Sequence, residues 1–251
     1  LILINSHVTW AKTIYVNPGS VTDSEWAIGN DINTGLDKQN PKMTIASTTA
    51  LTVPGDSILI KNGTYTSADY YGNWSNVTTG NGSSSGYIVI TAETKGQVIF
   101  DVTGSSPSSG GNPVFDIRQV SYVKLIGIVV KGANTTGSNE WSGIRALNCR
   151  NIVIEDCIAE YLGDKGIWVG GDSIIVKNNI VRYAAMDYSV SSDASKRNRG
   201  GGWPNGMSVW YVNSSTEGMT NGTLSKKIHF LNNTVHDCWG CLLYTSDAAD
   251  E

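Results

Sequence analysis

Between residues 140 and 205 the chain gathers cations, carboxylates and tryptophans at spacings that could serve one site. Arg145 and Lys165 offer positive charge, and Glu140, Asp164 and Asp187 offer oxygen ligands. Trp141, Trp168 and Trp203 offer flat apolar rings, with Asn205 beside them as a polar contact. A lysine can take a proton from carbon when a cation neutralises the carboxylate next to that carbon. Lys165 would be that base if Arg145 or a bound cation favours its neutral form, and Arg145 could hold the carboxylate with both arms of its guanidinium. A pair of carboxylates roughly 5 to 9.5 Å apart would instead suit hydrolysis of a glycosidic bond. Asp164 with Asp187, or Glu140 with Asp164, would be the pairs. Exposed tryptophans cost free energy unless something covers them, and sugar rings do so through their C–H faces. Lys196, Arg197, Asn198 and Arg199 form a basic run able to attract an acidic polymer. The plainer readings are tryptophans packed under loops, a solvated basic loop, and Asp164 and Lys165 as ordinary turn residues.

What positions these side chains is a pattern repeated four times between Ser121 and Gly240. The copies occupy residues 122–130, 151–159, 173–181 and 227–235, so they start 29, 22 and 54 residues apart. Each opens on alternating apolar residues (Val123/Leu125, Ile152/Ile154, Ile174/Val176, Ile228/Phe230), the period of a strand with one buried face. Each then bends at Gly127, Asp156, Asn178 or Asn232 and re-enters the core at Val130, Ala159, Val181 or Val235. A third segment led by glycine follows, at Gly143, Gly166 and Gly206, with another beginning at Gly240. Three short strands per repeat, with turns too short for a helix, predict a solenoid whose coils bury their faces only by stacking. The fold expected is all-β, a single-stranded right-handed parallel β-helix with an N-terminal cap. Asn178 and Asn232 should stack as a side-chain ladder. A β-sandwich is the rival, but no tight Asn-Gly turn separates the strands.

In the third segments Ile144/Ala146, Ile167/Val169 and Met207/Val209 should point inward, which turns Arg145, Trp168 and Ser208 outward, one above another. Trp141, Lys165, Asn205 and Trp239 are read as equivalent positions ahead of the glycines. The insertions at 133–142 and 187–205 precede such segments and should rise over the same face. His236 and Asp237 follow the last bend, off that face, and rank second as a site.

Charged residues make up only 16% of the chain while glycine reaches 28 residues, a composition of strands joined by polar turns. No apolar run approaches the roughly 18 residues of a membrane helix. Residues 1–11 read like the end of a secretory signal, with Thr9, Trp10 and Ala11 as a cleavage site. Residues 241–251 break the repeat and resemble the in-frame translation of a sequencing-library adapter, which would leave 12–240 as a C-terminally truncated β-helix domain. Without Asp247, Asp250 and Glu251 the formal charge of -4 becomes -1, so acidity says nothing about partners. Cys238 and Cys241 have the spacing of a redox or metal pair, but Cys241 falls in that tail. Cys149 and Cys157 are expected as small buried residues, not as a bridge, and no His/Cys cluster has zinc spacing.

Along the first third, Lys12 to Val16 reads as a strand and 46–53 as one or two helical turns covering the open end of the solenoid. Tyr15-Val16, Asn33-Thr34-Gly35, Pro41 to Ile45, Pro54-Gly55-Asp56 and Gly63-Thr64-Tyr65 resemble the N-terminal signature of secreted right-handed parallel β-helix proteins. That superfamily holds polysaccharide lyases acting on pectin, alginate and glycosaminoglycans, with epimerases and some glycoside hydrolases. The resemblance is specific for fold and weak for reaction. It implies an extracellular protein, expected to be a monomer without nucleic-acid partners, acting on an acidic polysaccharide by β-elimination. Hydrolysis, or carbohydrate binding without catalysis, remains the alternative. It also implies Ca²⁺ as a carboxylate-neutralising ion, for which Asp164, Glu140 and Asp187 are the available ligands.

Overall fold

A computed structural model describes residues 11–19, 22–48, 50–66, 73–75, 81–105, 112–132, 141–185, 205–210, 225–238 and 241–244. The chain forms a parallel β-helix: every pairing between its strands is parallel, and each strand pairs with strands of neighbouring coils. Three faces surround one core. The first face is built from β1 (Thr13–Val16), β2 (Ser57–Ile60), β5 (Ile88–Ala92), β8 (Ser121–Ile126) and β15 (Lys226–Leu231). To it belong the second halves of β10 (Trp141–Glu155) and β12 (Ile167–Lys177). The second face runs through β3 (Gly63–Thr66), β6 (Val98–Asp101), β9 (Ile128–Gly132), β11 (Ile158–Leu162), β13 (Ile180–Arg182) and β16 (Thr234–His236). The third is built from β4 (Asn73–Ser75), β7 (Asn112–Arg118), the first halves of β10 and β12, β14 (Asn205–Val209) and β17 (Cys241–Tyr244).

The alternating residues become continuous rows inside. Ile14, Ile58, Ile90, Leu125, Ile154, Val176 and Phe230 stack in register down the first face. Tyr65, Phe100, Val130, Ala159, Val181 and Val235 do the same down the second. Most are wholly buried, whereas Phe230 and Val235 in the last coil are half-buried. Each buried aliphatic side chain is worth roughly 1.5–3 kcal/mol, and it is realised only when the next coil covers it.

The corners explain the spacing of the repeat. Tyr122, Asn151, Ser173 and Lys227, which open the four copies, adopt positive φ, as do the bend residues Gly127, Asp156, Asn178 and Asn232 five positions later. Asn, Asp and Gly enter that region at low cost, so the bend positions are readable from sequence. The ladder, however, lies one residue further on than expected. Asn178 and Asn232 are the left-handed corner residues. Asn179 and Asn233 turn inward: Asn179 Nδ2 donates to Asn233 Oδ1 (3.0 Å) and to Ile154 O (3.0 Å), and Asn233 Nδ2 donates to Val176 O (2.7 Å). Cys157 takes the equivalent place one coil earlier, its backbone N–H donating to Asn179 Oδ1 (2.9 Å).

The N-terminal cap gives the signature residues their reasons. Asp56 is fully buried and accepts from Lys12 Nζ (2.6 Å) and from the backbone of Lys12 and Val53 (both 2.9 Å). Tyr65 donates its hydroxyl to Lys61 O (2.7 Å), and Asn33 donates to Pro41 O (2.9 Å). The helical segment is shorter than expected, a single 3-10 turn at Ala46–Thr48. Ile45 enters the core and Leu51 packs against it.

Candidate functional site

The third face carries most of the described candidate residues, and glycine shapes its entry. A Cβ on Gly143 would stand 2.3 Å from Gly166 O, and one on Gly166 would stand 2.5 Å from Gly206 O. Only glycine lets these three backbones stack so closely. Ile144 pairs with Ile167 and Ile167 with Met207, all buried, so the inward residues are those expected. The outward row runs Asp116, Arg145, Trp168, Ser208 in strict register.

Two charge clusters flank Trp168. In one, Arg145 makes the bidentate grip foreseen for it, but on its own chain: Nε donates to Asp116 Oδ1 (2.8 Å) and Nη2 to Asp116 Oδ2 (2.7 Å). Arg118 adds a third contact, Nε to Asp116 Oδ2 at 2.8 Å. Asp116 is only 1% exposed, so its negative charge has to be met by these guanidinium groups. In the other, Lys165 Nζ lies 3.0 and 3.2 Å from the Asp164 carboxylate oxygens, and Ser142 Oγ lies 2.9 Å from Asp164 Oδ2. Between them the Trp168 ring receives Lys165 Nζ at 4.8 Å and the Arg145 guanidinium carbon at 5.6 Å from its centroid. Trp210 meets it edge-on at 5.7 Å. These are cation–π contacts, worth about 0.5–2 kcal/mol each.

Two donors in this row have no hydrogen-bond partner although buried: Trp168 Nε1 and Ser208 Oγ. An unmet buried donor costs roughly 1–3 kcal/mol.

The placement corrects several expectations. Arg145, half-buried, and Lys165, buried, are ion-paired groups, not free ones. Trp141 does not face solvent: it is half-buried against the core and donates Nε1 to Ser105 O (3.0 Å). Nor does it occupy the position of Lys165. The register that pairs Ile144 with Ile167 sets Ser142 beside Lys165 and brings the Asp164 N–H to Trp141 O (3.1 Å). At the far end Asn205, 3% exposed, pairs with Cys241, so the glycine expected to lead at Gly240 is one residue ahead of that strand. Trp203, Lys196, Arg199, Glu140 and Asp187 lie outside the described residues, as do most of both insertions. Asp164 is therefore the described member of the expected Ca²⁺ set, and both its oxygens already face Lys165 or Ser142. Among the described residues no group of three His, Cys, Asp or Glu could hold a metal ion.

Asp116 and Arg118 were missed by the sequence reading. The signal was present: Phe115 and Ile117 alternate inward in Val114 to Arg118, which turns Asp116 and Arg118 outward one coil before Arg145. His236 and Asp237 sit on the second face, Nδ1 2.7 Å from the carboxylate. There Glu160, 4% exposed, is held between Lys131 (3.0 Å) and Arg182 (2.7 Å), and Tyr161 and Tyr183 stack at 5.0 Å. Cys149 and Cys157 are buried free thiols.

No protein-family model matches the chain, and no curated protein matches it. Solved structures do. An alginate lyase from Paenibacillus sp. str. FPU-7 is 15% identical over 76% of this chain, with a TM-score of 0.48. A rhamnogalacturonan lyase is 17% identical over 91% (TM-score 0.45), and a lacto-N-biosidase from Eubacterium ramulus is 12% identical over 92% (TM-score 0.39). The chain spans 55%, 69% and 57% of their respective lengths. These are the kinds of protein that the resemblance over residues 15–66 names. At such identities and scores the likeness carries no argument about activity, and the β-helix rests on the strand registers themselves.

Proposed function

We propose that this chain belongs to a secreted protein that acts on a uronate-containing polysaccharide, cleaving it by β-elimination on the third face. The observation that carries the reading is the charge balance around Trp168. Arg118, Arg145 and Lys165 bring three positive charges against the two of Asp116 and Asp164, beside a half-buried aromatic ring. Among the described residues the surplus charge falls to Arg118, whose side chain is 44% exposed, so it stands at the solvent edge of the cluster, where it can attract the negative charge of a uronate. Arg145, fixed by Asp116, acts as a preorganised cation, which stabilises developing charge without rearranging. To take a proton from carbon, Lys165 would first pass one of its own to Asp164, which lies 3.0 Å away. The pair would then serve as base and acid together.

Asp116 and Asp164 also support a second reading, hydrolysis. Asp116 is in register with Arg145 and Asp164 bonds Ser142, three residues earlier on the same strand. The register positions that the two carboxylates adjoin lie roughly 10 Å apart along the strand direction, just beyond the roughly 6.5–9.5 Å between the carboxyl groups of inverting hydrolases.

The test offers the protein pectate, alginate and glycosaminoglycans and follows the ultraviolet absorbance of unsaturated uronate ends. Lys165→Ala should abolish the rise. Lys165→Arg keeps the charge but cannot act as a base, so a dead arginine variant assigns proton abstraction and an active one assigns neutralisation. Reducing ends released without an absorbance rise would replace elimination by hydrolysis. Polymer retained on a gel at unchanged length would leave binding alone. Chelation tests Ca²⁺: with Lys165 already on Asp164, activity should survive EDTA. A loss restored by Ca²⁺ would place the ion with Asp164, and Glu140 and Asp187 would be its remaining candidate ligands.

A further inference from the structure

We infer that the outer side of the second face is a self-association surface, and that its occupant is a second copy of this chain turned end for end. The proposed function uses the third face, so the two readings stand or fall separately. Two rows of side chains point outward from the second face, each in register across its six strands. One row runs Thr64, Ile99, Val129, Ile158, Ile180, Thr234. The other, beside it, runs Thr66, Asp101, Lys131, Glu160, Arg182, His236. The aliphatic members of the first row alternate with core residues and lie outside the core cluster themselves. Ile99, Ile158 and Ile180 are half-buried, with Val129 packed between them. Charge borders this apolar row on both sides. Lys95 reaches past Gly127 to Asp156 at the corner, and Lys131 and Arg182 hold Glu160 in the neighbouring row, with the Tyr161 and Tyr183 stack beyond. An apolar centre with a charged rim and tyrosines is the make-up of a protein interface.

The order of the residues selects a second copy as the partner. A two-fold axis parallel to the strands, midway between β9 and β11, lays the face on itself with its coils reversed. Thr64 then meets Thr234 of the second copy, Ile99 meets Ile180, and Val129 meets Ile158. In the charged row Asp101 meets Arg182 and Lys131 meets Glu160, so each meeting of charges joins opposite signs. Those four charges also cancel, so the face as a whole draws neither an acidic nor a basic partner. The strands of the two copies run the same way, as in the aligned packing of one sheet on another. Strands at about 4.8 Å spacing, with their rims, offer roughly 500 Å² from each copy, below the roughly 800 Å² of a standard complex. The dimer is therefore weak, forming at about 0.1–1 mM protein, and it leaves the third face open. It departs from the monomer that the resemblance implies.

The test is sedimentation velocity on the full chain, from about 10 µM to about 1 mM, where the weight-average mass should climb from monomer towards dimer. Asp101→Lys sets a cation against Arg182 of the second copy, and Arg182→Glu sets a carboxylate against its Asp101. Each variant alone should associate at least tenfold more weakly. Mixed in equal amounts they should associate as the wild type does, because each new charge then meets its opposite on the other variant. Ile158→Ser, beside the axis, should weaken association with every charge kept. A wild type that stays monomeric at about 1 mM overturns the inference, whatever covers the face instead. So does a dimer that neither charge variant weakens, since it forms through another surface. Two weakened variants that mixing does not restore overturn the two-fold register. If circular dichroism shows Arg182→Glu unfolded, Ile158→Ser decides: unchanged association removes the surface, and a tenfold loss upholds it. Polymer cleavage, found or not, leaves each of these outcomes as it is.

Discussion

Arg145 shows how far a residue's type can mislead about its partner. Its geometry is the bidentate one that recognises carboxylates, and the carboxylate is Asp116, buried at 1% exposure one coil away. Removing one member of a buried pair leaves the other charge unmet, which costs about 3–5 kcal/mol. Arg118 remains in Arg145→Ala, so the loss should fall near the lower figure, about 3 kcal/mol, read from urea unfolding. Arg145→Lys should recover part of it, because the charge returns without the two-armed fork. A loss under 1 kcal/mol would mean that Arg118 alone holds Asp116. The cysteines make the opposite point. Burial pushes the thiols of Cys149 and Cys157 up to about 12. Both should resist iodoacetamide in the folded protein at neutral pH and react once it is unfolded. Fast labelling of either in the native state would contradict their place in the core.

At the scale of the element, the corners separate neighbouring residues that look alike in sequence. Asn178 has φ 57°, and Asn179 is 1% exposed with its amide bonded to two coils. Asn178→Gly should leave stability within about 0.5 kcal/mol, since glycine enters that region freely. Asn178→Val should cost roughly 1–2 kcal/mol. Asn179→Ala strands the Cys157 N–H and Ile154 O, and should cost about 3 kcal/mol in thermal unfolding. If Asn178→Ala proves the costlier of the two alanine variants, the ladder has been assigned to the wrong asparagine. The repeat, its bends and its inward rows were legible because they follow local rules: alternation of apolar side chains, and Asn, Asp or Gly at positive φ. The ladder was misplaced by one residue because two adjacent asparagines differ only in which of them the next coil can reach. Trp141 was misread for a different reason: it stands two residues ahead of Gly143, whereas Lys165 and Asn205 stand one ahead of Gly166 and Gly206, so counting back from the glycines already makes Ser142 the equivalent of Lys165, as the register has it. Asp116 went unseen although its strand alternates plainly, because a short segment of mixed residues is recognised as a third-face strand only when its neighbours are known.

Across the whole molecule the coils form a one-dimensional stack, so stability at each end is decided by what covers it. The N-terminal end is covered by a loop held through charge. Lys61 bonds the carboxylate of Asp23, and Lys38 bridges Glu25 and Glu93 at 2.9 Å each. Trp26, 1% exposed, lies under both lysines and donates Nε1 to Glu93 Oε1 (3.0 Å). The Lys61 ammonium, with the backbone N–H groups of Glu25 and Trp26, lowers the Asp23 carboxyl from 3.8 to about 2. Because that value is depressed in the folded state, the carboxylate favours folding at every pH above 3.8, and its contribution disappears as pH falls towards 2. The cap should therefore loosen first in acid, while the aliphatic rows of the central coils, which carry no titrating group, hold. Hydrogen exchange followed as pH is lowered from 4 to 2 would report it as early loss of protection in β1 and β2, with β8, β10 and β12 still protected. Asp23→Asn should flatten the acid dependence of the melting temperature in that interval and leave it unchanged near neutrality in slope. Simultaneous loss of protection along the whole stack would show instead that the coils unfold as one unit, with the cap ion pairs no weaker in acid than the core they cover.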